Sequence, residues 1–282
     1  MTQDFPVLTA AAKNLAEAWE NACEMVYYHG IDIKTEYDKP DDPPSKDCTM
    51  MIVVTDPLSE PMIHRDIPCG LEDLQEYVLE VCDGIKNHWV RDPNDPDDTR
   101  WEYTYNERLF KYEVPGDNST TLDQIEIAAQ KLAKTSHTRR AQAVTWKAWE
   151  DNECYDPPCL QRLWWRCVDN GSHLTLDMNV HIRSNDAYKA AFMNMFAFIM
   201  LQARVAKRVQ ELTNRVVTVG RYCHMADSFH IYGSYFNEFK SRFIGGIHSR
   251  SFDERTFRYR DVKPIMDDAI PGILEKVKNM DA

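Results

Sequence analysis

No apolar run in the sequence is long enough to cross a bilayer. The most apolar stretch, Ala190 to Leu201, is broken by Asn194 and falls short of the ~20 predominantly apolar residues a span needs. A block of basic residues is also missing. The formal net charge is -12, so the chain lacks the positive surface that releases counterions from nucleic acid. A few clustered arginines can still hold one phosphate, because net charge says nothing about local pockets. The start, Met1 to Thr9, is acidic and mixed, unlike a secretory leader. The eight cysteines are scattered and form no Cys-x-x-Cys pair, which points to reduced thiols in a cytoplasmic protein rather than a disulfide framework. Cys154, Cys159, Cys223 and His224 lack the tight paired spacing of structural zinc sites, so no metal is expected. Repeats and low-complexity tracts are absent.

What is present is an ordinary globular balance, 43% hydrophobic and 28% charged over 282 residues, enough for a sizeable core. Helical spacing is read over Leu8–Tyr28, Leu71–Trp89, Leu122–Lys134, Asp186 to about Glu211, and Lys263–Lys278. Strands are read at Met50–Thr55, Ala141–Trp149, Leu160–Val168, Val216–Tyr222 and Phe229–Tyr232. The clearest alternation follows the Asn170-Gly171 turn. Leu174, Leu176, Met178, Val180 and Ile182 share one face, and Thr175, Asp177, Asn179, His181 and Arg183 the other. The helix after Asp186 is apolar nearly all round at first, as a buried helix is. The expectation is a mixed α/β (α+β) fold: one domain over residues 1–282 with one main sheet, a long buried helix, and polar surface insertions near 39–46 and 91–98.

Chemistry gathers in the second half. Pro157 and Pro158 stiffen the backbone before Cys159, which suits a nucleophile held in one attack geometry. By itself this more readily describes a buried structural cysteine. Thr138-Arg139-Arg140 offers two guanidinium forks for a dianion. Arg183-Ser184 adds a third guanidinium and a hydroxyl near an expected helix start. His230 and Tyr232, two residues apart on a strand, share a face and can bond sugar hydroxyls.

From Thr138 to Phe239 the order of these elements resembles the thymidylate synthases and related nucleotide hydroxymethylases. The matching pieces are Thr138-Arg139-Arg140 with Trp146, Pro157-Pro158-Cys159, Arg183-Ser184 with Asp186 and Asn194, and His230 with Tyr232. The resemblance implies a thymidylate-synthase-like fold and covalent catalysis, with Cys159 adding to carbon 6 of a pyrimidine nucleotide. It implies a thiolate favoured by nearby guanidinium groups. It implies a 5′-phosphate held by Arg183, Ser184, Arg139 and Arg140, the arginine pair reaching over from the partner of a homodimer. Asn194 would read the base, His230 and Tyr232 would bond the 3′-hydroxyl, and Asp186 would organise the folate and ordered water. The implied one-carbon donor is 5,10-methylenetetrahydrofolate.

The departures are specific. Leu160 stands where the family has histidine, and Ala226-Asp227-Ser228-Phe229 differs from the family pattern before His230. The catalytic glutamate of an early helix is assigned to Glu76, with Glu80 as rival. Tyr105-Asn106-Glu107-Arg108 lacks the glycine of a family Tyr-Gly motif, and no residue is assigned as the flexible phosphate-binding arginine of the N-terminal part. The chain closes with polar Val277 to Ala282 instead of a water-excluding apolar tail, which favours a hydroxymethyl over a methyl product. The neutral amide of Asn194 matches uracil better than cytosine. The expectation is therefore 5-hydroxymethylation of dUMP. Thymidylate synthesis and dCMP or CMP hydroxymethylation are the alternatives, and an inactive nucleotide-binding dimer is the reading from another class.

Overall fold

The computed structural model describes residues 4–92, 95, 97–116 and 120–281. In chain order the elements are β1 (Val7–Ala12), α1 (Leu15–His29), β2 (Ile31–Ile33), β3 (Ser45–Val54), β4 (Ile63–His64), α2 (Leu71–Asp83), α3 (Tyr105–Phe110), β5 (Tyr112–Val114), β6 (Thr120–Leu122), α4 (Gln124–Lys134), β7 (Ala141–Val144), β8 (Leu160–Asp169), β9 (Leu174–Asp186), α5 (Ala191–Thr213), β10 (Val217–Ile231), α6 (Phe236–Glu238), α7 (Gly245–Ser249), β11 (Thr256–Phe257) and α8 (Tyr259–Lys278).

The main sheet runs β1-β3-β10-β9-β8-β7, with β2 on β3. It is mixed: β1 lies parallel to β3 and β9 parallel to β10, while the β3–β10, β8–β9 and β7–β8 pairs are antiparallel. The alternation in β9 holds as read. Leu174, Leu176, Met178, Val180 and Ile182 are buried against the helices, and the polar set faces the other way. Helices α1, α4 and α5 cover the apolar face, and α2 and α8 pack over that layer. The start of α5 lies between the sheet and the outer helices. Phe192, Met195, Phe196, Phe198 and Ile199 can therefore all be buried although they point in several directions.

Several expected boundaries move. The span read as one helix from Leu8 is a strand through Ala12, paired with β3, and the helix starts only after Asn14. Asn14 Oδ1 accepts the Glu17 N–H at 2.9 Å, a cap that stops the helix extending backward. The alanine run fits either state locally, and pairing with β3 decides it. The helix from Leu71 stops at Asp83, because Gly84 takes φ +68° and a side chain there would collide with Asn106. Ala141–Trp149 is strand only to Val144. The two strands read at 216–222 and 229–232 are one, β10, with register shifts at Val219/Tyr222 and Ala226/Phe229 that disguise its continuity. Asp186 ends β9 instead of opening a helix; α5 begins at Ala191, so Arg183 and Ser184 lie in a strand and not at a helix N-terminus.

The polar segment near 39–46 also changes character. Ser45 and Lys46 belong to β3, and the Pro43 carbonyl sits so close to Gly233 that no side chain fits there. This packing brings the preceding loop beside the end of β10. Of the segment near 91–98, residues 93, 94 and 96 lie outside the described residues; Arg91 pairs with Glu102 and Asp98 with Arg100. Ala282 lies outside them as well. Among the described residues, no helix is long and apolar enough to cross a membrane.

Candidate active site

The C-terminal end of β9, the loop before β8, the start of α5 and the end of β10 surround a cleft of 540 Å³. It gathers Cys159, Arg183, Ser184, Asp186, Asn194, His230 and Tyr232, all expected from sequence. Glu36, Tyr37, Tyr77, Tyr105, Tyr155, Asp156, Asn185 and Ala190 complete it.

Cys159 is held by its backbone. Its N–H donates to the Tyr103 hydroxyl at 3.4 Å, and the Leu160 N–H donates to the Tyr105 hydroxyl at 3.2 Å. The Arg183 N–H donates to the Cys159 carbonyl at 2.8 Å. The Arg183 guanidinium bonds the carbonyls of Pro157 at 2.6 Å and Pro158 at 3.2 Å. The arginine thus clamps the prolines that present the thiol. Burial pushes the Cys159 thiol above its ordinary range, with Arg183 opposing the shift and Asp156 reinforcing it. The expectation of a guanidinium-favoured thiolate is corrected to that extent: Arg183 acts in that direction, but desolvation outweighs it.

His230 has a definable tautomer. The Ser228 hydroxyl donates to Asp47 Oδ2 at 2.8 Å and also lies 3.1 Å from His230 Nδ1. A hydroxyl has one proton, so toward the imidazole it can only accept, which places the ring proton on Nδ1. Nε2 is left as an acceptor, suited to a hydroxyl donor. Burial holds His230 below its ordinary pKa and Asp47 above its own. The Tyr232 ring meets the imidazole edge-on at 4.7 Å.

Asp186 takes the backbone N–H groups of Tyr188 at 3.0 Å and Lys189 at 2.8 Å on Oδ1, and the Tyr235 hydroxyl on Oδ2. These bonds shape the turn into α5. Behind the cleft, Asn185 Oδ1 bonds His224 Nε2 at 2.8 Å, and His224 Nδ1 bonds the Tyr222 hydroxyl at 2.9 Å. Cys223, next to His224, lies on the opposite face of β10, so these two do not converge.

Two groups of expected residues lie elsewhere. Glu76 does not line the cleft; its carboxylate bonds Lys86 and Lys276, each at 2.7 Å. Burial alone would raise its pKa, but those two hydrogen bonds outweigh it and hold the carboxyl below its usual range. Successive helix residues point about 100° apart, and the neighbour that reaches the cleft is Tyr77, whose hydroxyl donates to Asn194 Oδ1 at 2.5 Å. Glu80, one turn on, lies with Tyr77 on an adjoining pocket of 380 Å³, which also holds Arg100, Trp101, Glu102 and Tyr103. Burial raises the Glu80 carboxyl while Lys86 opposes.

Arg139 and Arg140 are exposed at the start of edge strand β7. Ala141 pairs with Trp165, six residues along β8 from Cys159. At 3.3 Å per residue that is roughly 20 Å, beyond the reach of either side chain.

The tyrosines at 77, 103 and 105 were not read as site residues. Tyr105 stood only in the region of a family Tyr-Gly motif, and its every-other-residue spacing with Tyr103 is the signal of a shared face.

The Cys159 thiol just ahead of β8, the Arg183 guanidinium, the Asn194 carboxamide and the His230 imidazole share one cleft, the kind of set an enzyme acting on a nucleotide uses. The family model for thymidylate synthase matches residues 71–245, and the chain belongs to the thymidylate synthase family, whose members are one-carbon transferases. A curated protein of Methanopyrus kandleri named "Putative thymidylate synthase" is 30% identical over 203 residues, covering 71% of this chain and 84% of the relative. Proteins of the same name from Methanosarcina acetivorans and Methanocaldococcus jannaschii are each 28% identical, over 77% and 78% of this chain and 88% of each relative. In fold the chain is similar to thermostable thymidylate synthase A from Bacillus subtilis, with TM-score 0.57, 18% identity, and coverage of 82% of this chain and 84% of that one.

Proposed function

We propose that this enzyme transfers a one-carbon unit to C5 of dUMP through a thioether between Cys159 and C6. The observation that carries the reading is the convergence of Cys159, Arg183, Ser184, Asn194, His230 and Tyr232 on one cleft of nucleotide size. Arg183, already bonded to the prolines, and the Ser184 hydroxyl hold the phosphate. His230 Nε2 accepts from the 3′-hydroxyl, with Tyr232 beside it. The Sγ–C6 bond forms as the C5–C6 double bond opens, and the electron pair moves onto O4, where the Asn194 amide N–H receives it. C5 becomes nucleophilic, gains the new bond and gives up its hydrogen as a proton. Expulsion of the Cys159 thiolate then restores the double bond.

The pocket beside the cleft fits a folate-type donor. Trp101, Tyr103 and Tyr77 offer ring faces for a pterin, and Glu80 and Glu102 offer acceptors for its N–H groups. Methylenetetrahydrofolate, when bound, supplies the carbon and, for a methyl product, the hydride. Asp186 orders the turn beside it, and Glu80 is better placed than Glu76 to move protons there. A methyl product is favoured by the names of the methanogen relatives. Hydroxymethylation is the second reading, favoured by the water-attracting mouth of the cleft, where Glu36, Asp156 and the 86% exposed Tyr155 stand.

A cytoplasmic homodimer with shared sites is part of the proposal. Among the described residues no helix covers the outer sheet face, which carries exposed Val7, Met51 and Val168. Arg139 and Arg140, too far from their own Cys159, would serve the partner's cleft.

The test is incubation with C5-tritiated dUMP and methylenetetrahydrofolate, measuring tritium release and product mass. A gain of a methyl group supports the leading reading, and a gain of hydroxymethyl supports the second. No release with any pyrimidine nucleotide overturns both.

A further inference from the structure

Tyr77 is the group that α2 presents to the cleft, and its half-buried phenol meets α5 at Asn194. Its hydroxyl proton has one acceptor among the described residues, Asn194 Oδ1 at 2.5 Å. Burial pushes the phenol well above its ordinary pKa, so at neutral pH it keeps that proton and acts as a donor. If the carboxamide turned over, Nδ2–H would donate to the phenol oxygen, and the phenol proton would lose its one acceptor among the described residues. A donor left without its acceptor gives up that hydrogen bond, which disfavours the turned amide. The bond therefore selects one of the two amide orientations. Nδ2 takes no partner among the described residues and is left for a ligand in the cleft.

This orientation matters because the base is not free to adjust. Cys159 fixes C6 and the phosphate and sugar contacts fix the other end, so one edge of the ring meets Asn194. Uracil shows an acceptor at position 4 and a donor at position 3; cytosine shows the reverse. A carboxamide in one orientation satisfies one pattern and opposes the other with two donors or two acceptors.

We propose that Tyr77 is a specificity-determining residue: by fixing the Asn194 carboxamide, it sets the discrimination between uracil and cytosine nucleotides. The proposal rests on Asn194 reading the base in a Cys159-dependent reaction. Nothing in the phenol touches the base directly; it acts through the amide.

The test is C5-tritium release from dUMP and dCMP by the full-length enzyme and its Tyr77→Phe variant, as kcat/KM for each nucleotide. The expected result is that the ratio between the two falls at least about tenfold in Tyr77→Phe, chiefly because the disfavoured nucleotide improves. The Asn194→Ala variant should show no discrimination and should not respond to adding Tyr77→Phe. An unchanged ratio in Tyr77→Phe, with both rates reduced together, assigns the phenol a packing role and overturns the proposal. If the wild type releases tritium from neither nucleotide, or Cys159→Ala releases it as well as wild type, the reaction reading fails, and the proposal falls with it. That outcome is told apart by the wild-type and Cys159→Ala arms alone.

Discussion

His224 has no charge at neutral pH. Burial, with a smaller contribution from the charge of His181, pushes its pKa down to about 3, from an ordinary 6.5. It nonetheless bonds Tyr222 on one side and Asn185, a cleft residue, on the other. The unfolded chain binds a proton at His224 below about 6.5, while the folded chain resists until about 3. Stability from this group is therefore complete above pH 6.5 and is lost as pH falls toward 3, at about 1.4 kcal/mol per pH unit. Urea unfolding at pH 7 and pH 4 should show the wild type losing a few kcal/mol more than His224→Gln. Equal losses would mean that His224 is hydrated in the native state. The sequence marked Cys159, Arg183, Asn194 and His230 because each stands in a motif. It offered His224 only as a poor zinc ligand, because its role depends on Asn185 lying on the adjacent strand.

At the scale of elements, the polar and apolar faces of β9 were legible because alternation alone defines them, while the phase of α2 was not. A one-residue error in helix phase exchanges Glu76 for Tyr77, and only the packing of α2 against α5 and α8 fixes it. Glu76 is tied to Lys86 and Lys276, which span two other segments of the chain, whereas Glu80 reaches the pocket beside the cleft. Glu80→Gln should lower kcat by roughly 10²-fold with little change in thermal unfolding. Glu76→Gln should lower stability by about 1–3 kcal/mol while the rate at saturation stays within a few-fold. The opposite pattern would restore Glu76 to the chemistry. The split of β10 has a similar cause: its two register shifts interrupt the period that alternation relies on.

At the scale of the molecule, the cleft draws on segments from Glu36 to Tyr232, and their convergence follows from a strand order that no local pattern reveals. The order of motifs identified the fold family because the family has already solved that topology. The exposed position of Arg139 and Arg140, far along the edge of the sheet from their own Cys159, supports the proposal that they serve a partner's cleft. A Cys159→Ala chain and an Arg139→Ala/Arg140→Ala chain should each be nearly inactive alone. Mixed and reassembled, they should recover about a quarter of wild-type activity, since a two-fold dimer of one of each holds one intact site. No recovery would place the arginine pair outside the partner's cleft. The central claim remains the nucleophile, and release of tritium from C5 of dUMP tests it most directly. The wild type should release it, and Cys159→Ala, folded to the same thermal midpoint, should release none. Release by that variant at the wild-type rate would contradict the account.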